Sequence, residues 1–400
     1  MVKKKIFNDP IYRFMKYDHD VLYRIIDHPY FQRLRRVSQL ALSQFVFPGV
    51  QHSRYQHALG ALHLMTQTLQ VLKSKGVLIS EEESKGVCIA ILLHDIGHGP
   101  FSHALEKMIL PHSHESISLR VMEIIEKELS EDFSIARQIY KNIYPRRFLN
   151  QLVSSQLDLD RMDYLNRDSF YSGVAEGVIG YDRIIHMLNV CDDELVVEEN
   201  GMHSVEKFLV ARKLMYWQVY LHKAAIGAEQ VLVSAIKRCI HLIRQDKDIY
   251  CPEAFKKIVH HTNADLTDEI VSYYLQLDDV DLLYMLKQGM SNHDKILSIL
   301  CKNIIHRRLF TTRLNIEKTP QRFFEELQKK IAETLHISEE ETSYFLIEKE
   351  EDFREYNSEK DEIRILMKDG RLLPFSEVNP EYSHKPLIKK FALCHYPLPK

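Results

Sequence analysis

Residues 86–103 read GVCIAILLHDIGHGPFSH. An unbroken apolar run leads into the pair His94-Asp95, and a glycine-rich turn then delivers His98 and His103. The S-x-x-E capping box at Ser80–Glu83 opens a helix that carries this run to His94. A polar pair at the end of a buried helix must find interior partners, and a divalent cation satisfies an imidazole and a carboxylate at once. Gly97, Gly99 and Pro100 force a turn before a second helix predicted to begin near Ser102.

The 400 residues include 53 Lys and Arg against 56 Asp and Glu, a net charge of −3. No global basic field therefore recruits a nucleic-acid backbone, and any anion site is local. At 45 % hydrophobic the chain can bury a large core. The opening MVKKKIFNDPIYRF is charged with no apolar segment behind it, and no apolar run reaches membrane-spanning length, which predicts a cytoplasmic protein with no membrane partner. The six cysteines form no CxxC pair and are expected as reduced core thiols.

Gly and Pro are scarce and apolar residues recur at helical spacing, so the fold is predicted to be mainly α. Phe31, Leu34, Val37 and Leu40 form one stripe of a helix expected over 27–42. Further helices are expected over 116–129, 133–142, 147–167, 180–189, 203–245 and 252–260. ELVVEENGMHSV (194–205) predicts a hairpin turning at Asn200-Gly201. Beyond about residue 260, acidic helices alternate with strand-like SYFLIE and EIRILMKDGRLLPF, where Asp369-Gly370 marks another hairpin. EKEEDFREYNSEKDE (348–362) reads as a solvated segment. The expectation is an all-helical body over 1–250 and a smaller α+β lobe over 251–400.

Candidates to complete a metal set with His94 and Asp95 are His57 in HSRYQHALG and Asp160 in LDLDRMDYLNRD. Two imidazoles and two carboxylates suit Fe, Mn, Co, Ni, Zn or Mg and leave coordination positions for water and phosphate oxygen. With these motifs the chain resembles the HD-domain phosphohydrolases, and within them the deoxynucleoside triphosphate triphosphohydrolases of the SAM-and-HD-domain type, dGTPase-like members included. The resemblance runs from Asp27 to His222: IIDHPYFQRLRRVSQL, VFPGVQHSRYQHALG, LLHDIGHGPFSH, His114-Glu115, DLDRMDYLNRD and ARKLMYWQVYLH follow in the family's order. No SAM domain like that of the animal members is expected ahead of these motifs.

The resemblance implies metal ligation by His57, His94, Asp95 and Asp160. It also implies that His98, His103 and His114 surround a scissile α-phosphate, with Glu106 orienting or acidifying His103. A protonated imidazole supplies the proton that an alkoxide leaving group needs, and His103 is the expected general acid. Arg54, Arg161 and Arg212 stand where the family uses cations for a triphosphate, and Tyr164 adds a hydroxyl. Gln39 and Asp168 match positions that hold a sugar 3′-OH, and Tyr220 matches the ring that crowds the 2′ position. At the base end Tyr216 and Leu221 replace the His and Gln of the animal branch, and Ala41-Leu42-Ser43 replaces its glycines.

Asp27, Gln32 and Arg35 match residues that bind an activating guanine nucleotide, GTP or dGTP, between subunits of a homodimer or homotetramer. The function this implies is metal-dependent cleavage of a deoxynucleoside triphosphate to deoxynucleoside and inorganic triphosphate. Two alternatives stay open: hydrolysis of another nucleotide, monophosphate or cyclic, and a nucleotide-sensing regulator. Arg212 and Tyr220, beside Leu214, Trp217 and Leu221, also admit a plain packing role.

Overall fold

The capping box forms as its residue types require: Ser80 Oγ accepts from the Glu83 N–H at 3.1 Å, and the Glu83 carboxylate accepts from the Ser80 N–H at 2.9 Å. The helix it starts, Glu81–Leu93, is buried from Val87 to Leu93, with no side chain there more than 3 % exposed. Each such aliphatic residue contributes about 1.5–3 kcal/mol when fully buried, so the helix is a core element. It packs against the long helix Arg54–Ser74, and its last residue presents His94 to the interior.

The computed structural model describes residues 5–261, 265–358, 361–383 and 386–398. Residues 1–4 of the charged opening and 359–360 of the segment expected to be solvated lie outside the described residues. In chain order the helices of the first half are α1 Asp20–Asp27, α2 Pro29–Arg33, α3 Arg54–Ser74, α4 Glu81–Leu93, α5 His114–Leu129, α6 Ser134–Tyr140, α7 Arg147–Val153, α8 Leu159–Ser172, α9 Tyr181–Met187, α10 Met202–Met215 and α11 Lys223–Arg244. The remainder are α12 Glu253–His260, α13 Asp268–Leu275, α14 Asp279–Gly289, α15 Lys295–Ile305, α16 Gln321–Leu335 and α17 Phe375–Val378. No helix among the described residues is long and apolar enough to cross a membrane. The six cysteines are free thiols.

Three small sheets complete the fold. β1 Phe7–Asp9 pairs with β2 Arg13–Met15. A second sheet has the order β3 Leu188–Cys191, β4 Glu194–Glu198, β7 Arg364–Leu366, β8 Leu372–Pro374, and the third is β5 Thr311–Asn315, β9 Ile388–His395, β6 Leu346–Phe353. The mainly α architecture with a smaller α+β part is as expected. Within it, the parallel pair Val197↔Ile365 carries the second sheet across residue 250, and one hydrophobic cluster runs from Leu22 through Leu92 and Leu232 to Phe345 and Leu393.

Several local expectations are corrected. The helix expected over 27–42 stops at Arg33, followed by a 3-10 turn at Leu34–Arg36. The helix expected over 147–167 is two helices, because the Asp158 carboxylate accepts from the Ser155 and Arg161 N–H groups and caps a new start. That break places Asp160 in the first turn of α8. The helix expected over 203–245 is interrupted by a π turn at Tyr216–Tyr220 and restarts with His222 as cap. The first hairpin turns at Asp192-Asp193, both left-handed at φ +51° and +58°, and Asn200-Gly201 lies in a 3-10 turn instead. The helix expected to reach 189 therefore ends at Met187. Residues 348–353 are paired strand, not solvated coil. The hairpin at Asp369-Gly370 forms, with Gly370 at φ +85°.

Candidate metal and phosphate site

Ser53 and Gln56 form the capping box that starts α3, which sets His57 one turn into the helix. His57 Nδ1–H donates to Asp163 Oδ2 at 2.7 Å, leaving Nε2 to face inward. That nitrogen lies 3.0 Å from Asp160 Oδ1, 3.4 Å from His94 Nε2 and 3.5 Å from Asp95 Oδ2. His94 Nδ1–H donates to the Ile91 carbonyl at 2.6 Å, which fixes its tautomer and turns Nε2 to within 3.5 Å of Asp160 Oδ1. The donor atoms of His57, His94 and Asp160 lie within 4.8 Å of one another and can hold a metal ion. Asp95 Oδ1 stands 3.4 Å from His94 Nε2, while its Oδ2 is ion-paired with Arg54.

The donor chemistry fits a divalent cation: both imidazoles have their outer nitrogen hydrogen-bonded and the inner one converging on two carboxylates. The pull of these acids on positive charge is visible at His57. Burial alone lowers its pKa, yet hydrogen bonds to Asp160 and Asp163 outweigh it and push the imidazole up to about 10. Burial also opposes ionisation of Asp160, and the two imidazoles overcome it to hold that carboxyl below the ordinary range.

Asp163 is itself clamped. Arg167 donates to it twice, Nε to Oδ2 and Nη2 to Oδ1, each at 2.9 Å, and Arg167 Nη1 donates to Asp9 Oδ2 at 2.8 Å. All three residues are buried. Gly60, the last letter of HALG, makes room for this pair: a Cβ there would lie 2.0 Å from Asp163 Oδ1 and 2.3 Å from Arg167 Nη2. The sequence reading missed Asp163 and Arg167, although both sit inside DLDRMDYLNRD at helical spacing from Asp160.

Beyond the metal set, His98, His103 and His114 form a cluster. His98 stacks on His114 with ring centroids 3.9 Å apart, and His103 meets both edgewise. Glu106 joins them, accepting from His103 Nδ1 at 2.9 Å and from His114 Nδ1 at 2.8 Å. The hydrogen bond from His103 is the main reason the Glu106 carboxyl lies below its ordinary range; burial opposes it and His114 adds to it. Burial and the Arg54 charge depress the His98 pKa strongly, so that ring is neutral. His103 is the exposed member, its side chain 64 % accessible.

A cavity of about 410 Å³ joins these groups, lined by Asp95, Asp160, His103 and His114 at one end and by Gln39, Asp168, Tyr216 and Tyr220 at the other. Arg54, Arg161, Tyr164 and Arg212 also face it. Arg54 is engaged with Asp95 and Ser102, and Arg161 Nε donates to the Ser155 carbonyl and Asp158. Arg212 has no hydrogen bond or ion pair among the described residues, and burial together with the Arg161 charge lowers its pKa. Tyr220 donates to Asp168 Oδ2 at 2.7 Å, and His52 Nε2–H donates to Asp168 Oδ1 at 2.7 Å. His52 was not singled out from sequence; it lies in VFPGVQHSRYQHALG and stacks on Tyr171. Leu221 is buried outside this cavity.

Asp27, Gln32 and Arg35 lie apart from the cavity at the surface. Asp27 pairs with Lys5 at 2.5 Å, Gln32 accepts from Arg35 Nε at 2.8 Å, and the Arg35 guanidinium covers the Tyr55 ring at 3.7 Å.

Comparison with known proteins places the chain in a family. The HD domain family matches residues 54–168 and the HD associated region matches 179–272. The solved structure of a phosphohydrolase from Bacteroides thetaiotaomicron is 43 % identical, covers 98 % of this chain and 100 % of its own, and superposes with a TM-score of 0.94. The protein YwfO of Bacillus subtilis is 35 % identical over 77 % of this chain and 71 % of its own length. A deoxynucleoside triphosphate triphosphohydrolase SAMHD1 homolog from Dictyostelium discoideum is 29 % identical over 63 % of this chain and 52 % of its own. His57, His94 and Asp160 all fall inside the matched HD region, and the chain belongs to the HD-domain phosphohydrolase superfamily, on its SAMHD1-like side.

Proposed function

We propose that the protein cleaves a deoxynucleoside triphosphate to deoxynucleoside and inorganic triphosphate. The observation that carries this reading is the Arg212 guanidinium, without a hydrogen bond or ion pair among the described residues, in a cavity with a cluster able to hold a metal at one end and the Tyr220–Asp168 pair at the other. A cation drawn partly out of water without a counter-ion is costly, and an anionic ligand relieves that cost. Arg161 and Tyr164 flank the same wall, so a polyanion finds several donors along it.

A divalent ion held by His57, His94, Asp95 and Asp160 would supply Lewis acidity and a water acidified toward neutral pH. The chain's own part is proton delivery and placement. His103 Nδ1 is bound to Glu106, so Nε2 is the atom that gives a proton to O5′ as the bond from the α-phosphorus to O5′ breaks. Water adds its oxygen to the phosphorus, and the products are the free 5′-hydroxyl and triphosphate. Tyr220 and Asp168 face the sugar, where a ribose 2′-OH would crowd the phenol ring. A guanine nucleotide held at Asp27, Gln32 and Arg35, and assembly as a homodimer or homotetramer, belong to the same reading.

The test is product analysis by anion exchange after metal-loaded protein meets each dNTP, with and without GTP. Inorganic triphosphate with deoxynucleoside supports the reading; its absence with every metal and nucleotide sinks it in favour of another nucleotide substrate or a sensor. Asp160→Ala should lose metal and turnover together, whereas His103→Ala should keep metal and lose turnover.

A further inference from the structure

The turn that carries His98 and His103 is held by residues outside both matched family regions. Phe101 and Ser102 are left-handed, at φ +56° and +52°. Residues with side chains visit this conformation singly and at a cost, and two in succession immediately before His103 call for an outside restraint.

The restraint is Asp279, the first residue of α14 and only 6 % exposed. Its Oδ1 accepts the Phe101 N–H at 2.7 Å and its Oδ2 accepts the Ser38 N–H at 2.9 Å. Ser102 Oγ then donates to the Ser38 carbonyl at 2.6 Å and accepts from Arg54 Nε at 2.6 Å. One carboxylate therefore ties the catalytic turn to the segment after α2 and, through Ser102, to the start of α3. The same corner grips the turn twice more. Arg33, buried in α2, donates to the carbonyls of Leu277, Ile96 and His98 at 3.0, 3.0 and 2.6 Å. Tyr274 closes over Gly99, where a Cβ would lie 2.1 Å from the phenol oxygen. Asp279 does not line the cavity, so any influence it has on chemistry passes through the turn.

We propose that Asp279 is a positioning residue for proton delivery: it keeps Phe101 and Ser102 left-handed and thereby sets the direction in which His103 enters the cavity. This rests on His103 acting as general acid. Two N–H donors need two acceptor oxygens, and an amide offers one, so Asp279→Asn breaks one anchor at constant volume.

The experiment measures kcat, KM and bound metal for dNTP hydrolysis in Asp279→Asn, His103→Ala and the double variant. A misdirected acid predicts a kcat lower by about 100-fold in Asp279→Asn with metal content and KM near the parent's. In the His103→Ala background the same change should cost nothing further, because the group it positions is gone. A purely structural role would multiply the two losses, and that result, or an unchanged kcat in Asp279→Asn, overturns the proposal. Should the asparagine variant not fold, Asp279→Glu keeps both acceptors but shifts them by a methylene and is read by the same cycle. If His103→Ala itself keeps full kcat, the general-acid reading fails; the clamp is then judged by the His103 ring signals in selectively labelled protein. Signals left unmoved by Asp279→Asn refute it, and shifted or exchange-broadened ones uphold it.

Discussion

Replacing Asp163 by Asn isolates the charge that orients the first metal-binding imidazole while keeping its volume. In the structure this carboxylate accepts three charge-assisted or short hydrogen bonds, from His57 Nδ1 at 2.7 Å and from two Arg167 nitrogens at 2.9 Å. Asp163 and Arg167 are fully buried. Breaking a buried ion pair costs about 3–5 kcal/mol, because the partner is left uncompensated. Arg167 keeps Asp9 at 2.8 Å, so the lower end, about 3 kcal/mol, is expected. Metal affinity should fall by about 10–100-fold, the usual effect of losing the hydrogen bond that orients a ligating histidine. Urea unfolding of metal-free protein gives the first quantity and competition against a chelator gives the second. Asp369→Asn, which removes an exposed pair with Arg371, should leave both unchanged and serves as control. An Asp163→Asn protein with the parent's unfolding midpoint and chelator competition would show that the Asp9–Arg167–Asp163–His57 chain does not hold the metal ligand in place.

Gly60→Ala should destabilise by about 1–3 kcal/mol in urea unfolding, since the new Cβ collides with Asp163 and Arg167; helix propensity alone would give the opposite sign. Arg212→Met should stabilise the protein by about 0.5–2 kcal/mol in urea unfolding while raising KM for a triphosphate, because it removes a half-buried cation that has no hydrogen bond or ion pair among the described residues and that binds substrate in the proposed reaction. A lower midpoint would mean that Arg212 packs and is not a strained binding group. Glu106 has a folded pKa below its unfolded 4.5, caused first by the His103 hydrogen bond, against burial and with His114. A depressed carboxylate stabilises the fold above the unfolded value, and that stabilisation fades as pH falls through the folded one. The unfolding gap between parent and Glu106→Gln should therefore narrow steadily between pH 5 and pH 3; a gap that widens there contradicts it.

Which parts were legible follows from how local each signal is. The capping box at Ser80–Glu83 and the apolar run behind it concern residues within a few turns, and both formed as read. The long helices were overextended at 154–158 and 216–222 because Asp158 and His222 act as caps only once their side chains turn to the backbone, which apolar periodicity cannot register. Turn preference favours Asn200-Gly201 for the first hairpin, yet β4 pairs back on β3 across Asp192-Asp193 and its far edge is taken by β7, Val197 against Ile365. Residues 348–353 looked solvated from their charges; their partner, β9, lies about forty residues away.

The sequence by itself determined a mainly helical fold, the His-Asp pair at the end of a buried helix, and a set of histidines, carboxylates and arginines suited to a metal and a phosphate. The fold and the metal candidates are carried by residue type and short spacing, which survive without three-dimensional context, whereas the phosphate roles of the other histidines and the arginines rest on the family resemblance. Only the tertiary structure decided that Asp163 and Arg167 orient His57, that Glu106 bridges His103 and His114, that His52 braces Asp168, and that Asp279 holds the turn before His103. Asp163, His52 and Asp279 reach partners 106, 116 and 178 residues away, and a hydrogen bond at that separation depends on how helices stack, which no local pattern encodes.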